Sequence, residues 1–160
     1  INFYMDQVEA AVAAGRRALQ LNPNLAPAEG WLSMFLSWAG DYDEAIAHAR
    51  KAQRLSPRDI YSVGNFARTA AEYGAGHYEQ AVAWAKKMIE VTPDFPAAWF
   101  YLAISLGNLD RLEEARAAGD QILRMMPHLN LRMLRAALPS GRSEEIERRI
   151  DGFRKAGLPE

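Results

Sequence analysis

Prolines at a regular interval are the feature that most constrains how this chain of 160 residues folds. Pro23, Pro57, Pro93 and Pro127 each follow an apolar residue by two positions, and they are 34, 36 and 34 residues apart. Proline lacks a backbone N–H and disfavours helical geometry in the residue before it, so each of these prolines is expected to end a helix. An interval of this length indicates a series of repeated supersecondary units.

Small residues stand at fixed distances before each proline. The residue twelve positions earlier is always alanine, and the residue eight positions earlier is alanine or glycine. These residues are Ala11, Ala45, Ala81 and Ala115, and Gly15, Ala49, Ala85 and Gly119. Side chains four apart share one stripe of a helix, and a stripe of small residues lets a neighbouring backbone approach closely. A second helix per repeat is predicted by apolar residues three and four apart, such as Leu32, Leu36 and Ala39. Each repeat is therefore predicted to be a helical hairpin.

Turn residues mark the joint inside each hairpin, at Gly40-Asp41, Gly74-Ala75-Gly76 and Asn108-Leu109-Asp110. The middle repeat is two residues longer than its neighbours. The sequence favours placing this surplus at Ala71 to Gly76, because extra length costs little in a glycine-rich joint. Helices are expected at about 6–21, 27–39, 42–54, 59–73, 78–91, 96–107 and 111–125.

The segment after Pro127 is predicted to close the array. Leu129 to Leu138 is an apolar stretch that we expect to form half of a fourth repeat before Pro139-Ser140-Gly141 stops it. A last helix over 144–156 follows Ser143, which is a good N-cap. Because a terminal repeat has an uncovered face, this helix is expected to act as a solubilising cap.

The motif Gly40-Asp41-Tyr42-Asp43-Glu44-Ala45-Ile46, with Pro57 downstream, resembles the second half of a tetratricopeptide repeat, as does Gly76 to Val82. The resemblance implies an all-α fold, a right-handed α–α superhelix of antiparallel hairpins. It implies one domain over 1–160, with a trailing half-repeat at 6–23, full repeats at 26–57, 60–93 and 96–127, and a partial repeat plus capping helix at 128–160. The first full repeat departs from the family pattern, because it has Glu29 where tryptophan is usual and carries Trp31 instead.

In this family the first helix of each hairpin lines a concave groove that holds another polypeptide. The side chains projected onto that groove are Trp31, Met34, Trp38, Tyr61, Asn65, Arg68, Glu72, Phe100, Tyr101 and Ile104. For any single ring, packing between helices is the more frequent outcome, but an aromatic concavity with a few polar groups is typical of a peptide or helix site. We expect an apolar ligand, such as an amphipathic helix, with Arg68 pairing an acidic or carbonyl group. The chain's own helix 144–156 is an alternative occupant.

Composition and spacing argue against other classes of function. Nineteen basic and twenty acidic residues give a net charge of −1, which removes the strong electrostatic attraction that nucleic acids or anionic membranes need. There is no cysteine, no apolar run of membrane-spanning length, and no phosphate-binding loop or nucleophile motif. The histidines His48, His77 and His128 lack ligand spacing, and His48 is assigned to a solvated helix face. We expect a cytoplasmic, non-enzymatic protein without metal or cofactor.

The tail offers a second resemblance. Leu134 to Pro139 and Asp151 to Glu160 look like the C-terminus of bacterial multidomain proteins in which a class III adenylate or guanylate cyclase domain, or a DNA-binding regulator domain, precedes a tetratricopeptide tail. This resemblance implies a fragment, beginning at Ile1, whose catalytic or DNA-binding part lies upstream. Because such cyclases act as dimers, structural homodimerisation is the alternative to binding a protein partner.

Overall fold

The computed structural model describes residues 3–57, 63–137 and 143–160, the first three of them by backbone alone. All regular elements within these ranges are helices. They are α1 (Phe3–Leu21), α2 (Ala26–Ala39), α3 (Tyr42–Leu55), α4 (Val63–Gly74), α5 (Tyr78–Val91), α6 (Pro96–Asn108), α7 (Leu112–Met125), α8 (Leu131–Ala137) and α9 (Ser143–Lys155).

The helix ends predicted from the prolines are confirmed. Helices α1, α3, α5 and α7 each end two residues before one of the four prolines. At the end of α3, for example, the backbone N–H of Ser56 donates to the carbonyl of Ala52, and Pro57 follows. At the other end, Pro27 and Pro96 lie in the first turns of α2 and α6, where a missing N–H costs no hydrogen bond.

The chain divides into two compact units, Ile1–His77 and Tyr78–Glu160. In the first unit α2 and α3 form an antiparallel hairpin, α1 packs on α2, and α4 packs against both helices of the hairpin. The core of this hairpin contains buried Leu32, Leu36, Ala45, Ile46 and Ala71, with Val12, Leu19 and Ala75 packed around them. The small residue Gly15 of α1 lies against Leu32, as the stripe of small residues predicts.

In the second unit α6 and α7 form the hairpin, α5 packs on α6, and α9 packs on the same α6. Helix α9, which α8 also contacts, is therefore the helix that follows the third repeat in space. Its close fit depends on glycines: a Cβ on Gly107 of α6 would lie 2.5 Å from the carbonyl oxygen of Gly152 in α9. Ile150 and Phe153 of α9 are buried, and the Phe153 ring meets Phe100 of α6.

Three joints share one backbone geometry. Gly40, Gly76 and Asp110 have φ angles of 91°, 80° and 55°, and each stands seventeen residues before a repeat proline. The left-handed conformation is readily adopted by glycine and tolerated by aspartate. In every joint the residue that follows donates its N–H to the carbonyl five residues earlier in the chain. These bonds run from Asp41 to Leu36, from His77 to Glu72 and from Arg111 to Leu106.

The common geometry fixes the register of α4. The two-residue surplus does not lie at Ala71 to Gly76, so that expectation is wrong; it lies between Pro57 and Val63, where residues 58–62 are outside the described part. Counted back from the joint, Glu72 is equivalent to Leu36 and Leu106, and Arg68 is equivalent to Leu32 and Leu102. All six positions are buried. The middle repeat therefore has a charged pair where its neighbours have leucines.

Candidate functional site

The polar residues projected onto the groove belong to the buried side of α4. Arg68 Nε lies 2.5 Å from Glu72 Oε1, and the second carboxylate oxygen lies 2.8 Å from His77 Nδ1. Asn65, which is half-buried, accepts a hydrogen bond of 2.8 Å from Gln53. Arg68 and Glu72 are 7% and 2% exposed, so the guanidinium that was expected to pair a ligand is already held by an internal carboxylate.

A second buried carboxylate was not anticipated as a paired group. Glu29 is fully buried, with Oε2 2.5 Å from His48 Nδ1 and Oε1 2.5 Å from Lys51 Nζ. Glu44 approaches the other nitrogen of the His48 ring, at 3.6 Å. The assignment of His48 to a solvated face is therefore wrong, since its ring satisfies Glu29. A sequence signal existed: Glu29 replaces the tryptophan of the family pattern, and a buried carboxylate needs partners.

The first repeat presents its rings on one face of α2, which we call the aromatic stripe: Trp31, Phe35 and Trp38. The rings of Trp31 and Phe35 stack with centroids 6.0 Å apart at 24°, and those of Phe35 and Trp38 meet at 5.7 Å and 55°. Trp31 and Trp38 are 48% and 42% exposed, whereas the predicted groove residue Met34 is 2% exposed. Phe35 was not predicted, although its spacing from the two tryptophans places it on the same helix face.

The face of α4 that is equivalent to the aromatic stripe is buried within the first unit. Counted from the joints, Ala67, Ala71 and Gly74 correspond to the three residues of the stripe. All three are buried, and Ala71 belongs to the core of the α2–α3 hairpin. A methyl group on Gly74 would overlap the ring of Tyr42 at the start of α3. This face of α4 thus packs on the α2–α3 hairpin, whereas the equivalent face of α2 carries exposed rings.

The predicted groove residues of the third repeat lie under α9. The Phe153 ring meets Phe100 edge-on at 5.7 Å and 90°, and the Arg149 guanidinium lies 5.8 Å from the centre of the Tyr101 ring. A Cβ on Gly152 would lie 2.9 Å from the backbone of Ile104, so the two helices are in close contact. The remaining predicted residue, Tyr61, is outside the described part of the chain.

Within the described ranges, no group of three His, Asp or Glu side chains is arranged to hold a metal ion. No helix there is long and apolar enough to cross a membrane. Among the side chains that the structure describes, Trp31 and Trp38 of the aromatic stripe are the exposed tryptophans.

Two family models, both described as tetratricopeptide repeat, match the chain over residues 31–59 and 70–129. The chain contains tetratricopeptide repeats. Solved structures with the same fold include MamA from Desulfovibrio magneticus RS-1, with a TM-score of 0.68 at 16% identity over 94% of this chain and 84% of that one. TTC0263 from Thermus thermophilus has a TM-score of 0.66 at 21% identity, covering 96% and 84% of the two chains.

A third similar structure is YrrB, described as a tetratricopeptide protein with an unusual peptide-binding site, with a TM-score of 0.62 at 20% identity over 94% of this chain and 77% of that one. No curated protein matches the chain. At these identities the likeness establishes the fold, and the predicted all-α helical-repeat solenoid class is confirmed. Tetratricopeptide repeats generally serve as protein-interaction scaffolds.

Proposed function

We propose that this tetratricopeptide module holds a partner polypeptide on the aromatic stripe. The observation that carries the proposal is the exposure of Trp31 and Trp38 in a continuous ladder of rings through Phe35. Tryptophan is enriched among the residues that dominate binding energy at interfaces, and contiguous exposed apolar surface is typical of interaction sites. The similar fold of YrrB, a peptide-binding protein by its description, supports a polypeptide ligand.

The charged side chains inside α2 and α4 support binding rather than catalysis. Glu29, Arg68 and Glu72 are each engaged by an internal partner of opposite charge. A catalytic acid or base must reach a proton of its substrate, whereas these three side chains are buried and paired within the protein. The module is therefore proposed to recruit a partner without itself performing a reaction.

Site-specific photocrosslinking tests this proposal. A photoreactive phenylalanine analogue placed at Trp31 of the full chain is expected to capture a partner in an extract of the native cells. The matched control places the analogue at Met133, an exposed apolar residue of α8 with a similar exposed fraction of 50%. Unlabelled wild-type chain should compete with the capture, and a Trp31→Ala/Trp38→Ala chain should not. Equal competition by both chains would place the binding surface elsewhere.

Self-association is the second candidate function, because the aromatic stripe carries no charge of its own and two copies of it do not repel. Sedimentation of the full chain over a hundredfold concentration range distinguishes the candidates. A dimer that disappears in the Trp31→Ala/Trp38→Ala variant would assign the stripe to a second copy. The cytoplasmic location and the role as the signalling tail of a bacterial cyclase or regulator stay predictions from the sequence.

A further inference from the structure

We propose that Glu29, His48 and Lys51, which we call the polar set, determine which helix pairs with α2. Their role concerns the folding of the repeat array rather than the binding of a partner, and it does not depend on the proposed function. An array of similar hairpins offers each first helix several similar second helices. Misassembly between such units is a characteristic failure of repeat proteins.

The stripe of small residues does not distinguish one second helix from another. Ala45 and Ala49 on α3 correspond to Ala115 and Gly119 on α7, counted from the prolines, and all four are buried. This stripe permits the close approach of a first helix in every hairpin. Selection of the correct second helix therefore has to come from other positions.

The positions of the polar set differ from repeat to repeat. The first position lies eleven residues before the left-handed residue of the joint, and the other two lie nine and six residues before the repeat proline. The residues there are Glu29, His48 and Lys51 in the first repeat, Asn65, Trp84 and Lys87 in the second, and Trp99, Ala118 and Gln121 in the third. The first repeat thus has an acid on its first helix and two basic side chains on its second.

The geometry shows that the polar set joins α2 to α3. The Glu29 side chain is fully buried, with Oε2 2.5 Å from His48 Nδ1 and Oε1 2.5 Å from Lys51 Nζ. A buried carboxylate that loses its partners is strongly unfavourable, because water does not replace them. The polar set therefore favours α3 over any second helix that lacks these two groups.

Helices α5 and α7 lack this combination of groups. On α7 the equivalent residues are buried Ala118 and Gln121, whose side-chain oxygen accepts a hydrogen bond of 2.8 Å from Arg124. On α5 the Lys87 ammonium lies 4.3 Å from the centre of the Trp84 ring, which stands where α3 has its histidine. Pairing α2 with α7 would leave Glu29 without a cation, and pairing it with α5 would place an indole at the position of His48.

Copying the residues of the third repeat into the first removes the difference between the two hairpins. The variant is Glu29→Trp/His48→Ala/Lys51→Gln in the full chain. The introduced indole has a suitable acceptor, because Trp99 Nε1 donates to the carbonyl of Pro93 at 2.7 Å and Pro23 stands at the equivalent place before α2. Circular dichroism should show as much helix as in the wild type, since the substitution leaves no unpaired charge at this place.

Refolding from urea tests whether the correct pairing is still selected. Two-dimensional NMR spectra of the amides, recorded before and after refolding, show how many arrangements the chain adopts, and size-exclusion chromatography detects species formed between chains. The wild type should return to its original spectrum. The triple variant should form additional signal sets or larger species about tenfold more often, because the penalty on an unpaired carboxylate no longer opposes them.

Gly107→Ala is the matched control, because it lowers stability at the α6–α9 contact and keeps the polar set. It should refold to a single set of signals. If the triple variant is not helical, Glu29→Leu/His48→Leu takes its place with the same expectation. Refolding as faithful as that of the wild type would overturn the inference. So would additional species that are equally abundant in Gly107→Ala, since instability alone would then explain them.

Discussion

Replacing both members of the Arg68–Glu72 pair by leucine is expected to leave the chain as stable as the wild type or more stable. The equivalent residues of the neighbouring repeats are Leu32 with Leu36 and Leu102 with Leu106, so the backbone around these positions is one that leucine fits. Replacing a buried ion pair by well-packed apolar residues is often neutral, or stabilising by about 1–4 kcal/mol, because two charges no longer have to be desolvated.

The single substitutions should behave in the opposite way. Glu72→Leu leaves a guanidinium that is 7% exposed without its carboxylate, and removing one partner of a buried pair costs about 3–5 kcal/mol. Arg68→Leu should cost less, since Glu72 keeps His77 Nδ1 at 2.8 Å and that ring is half exposed. Glu72→Leu should therefore lower the free energy of unfolding by at least about 3 kcal/mol more than the double substitution does.

Urea unfolding of the four chains, followed by far-ultraviolet circular dichroism, gives the double-mutant cycle. The exposed pair Arg111–Glu114 is the matched control. The coupling energy between its two side chains should be close to zero, because water solvates whichever charge remains after one partner is removed. If Glu72→Leu costs as little as a surface substitution, or the double variant is as unstable as the worse single variant, then the assignment of Arg68 and Glu72 to leucine positions is refuted.

Three further predictions concern other contacts. Gly107→Ala should destabilise the second unit by about 1–3 kcal/mol, measured by thermal melting, because the new methyl group meets the backbone of α9. His48→Ala should cost about 1–3 kcal/mol in urea unfolding, because it removes a hydrogen-bond partner from buried Glu29. The Glu147 carboxyl should titrate by NMR below its ordinary pKa, because Arg135 donates hydrogen bonds to it, and Arg135→Ala should raise this pKa towards the ordinary value. The stabilisation from this pair is present at neutral pH and is lost as pH falls through the lowered pKa.

The sequence predicted the helices well because their ends depend on local chemistry. The prolines and the joint residues act through φ angles and missing N–H groups, which need no tertiary context. The predicted helices at 42–54 and 78–91 accordingly match α3 and α5 to within one residue. The place of α9 was harder to predict, because its contact with α6 depends on Gly107 and Gly152 meeting across 45 residues of chain.

The site was predictable only where a side chain follows the general preference of its type. A register error of two residues moved Arg68 and Glu72 from the buried side of α4 to its open side, and the usual exposure of charged residues made that error plausible. Periodicity cannot reveal the error, because a buried salt bridge breaks the apolar pattern by which a buried face is recognised. The left-handed glycine Gly76 is the sequence feature that corrects it, since it aligns the joint with Gly40.

The buried charges also bear on how the module would select a partner. In the first two repeats the buried carboxylates Glu29 and Glu72 are paired internally with the cations of Lys51 and Arg68, and the rings of His48 and His77 contact their second oxygens. Such pairs favour one arrangement of their own helices and leave little charge to attract a ligand. Under the proposed function, recognition by the first unit therefore depends on apolar contact with the aromatic stripe rather than on these buried charges.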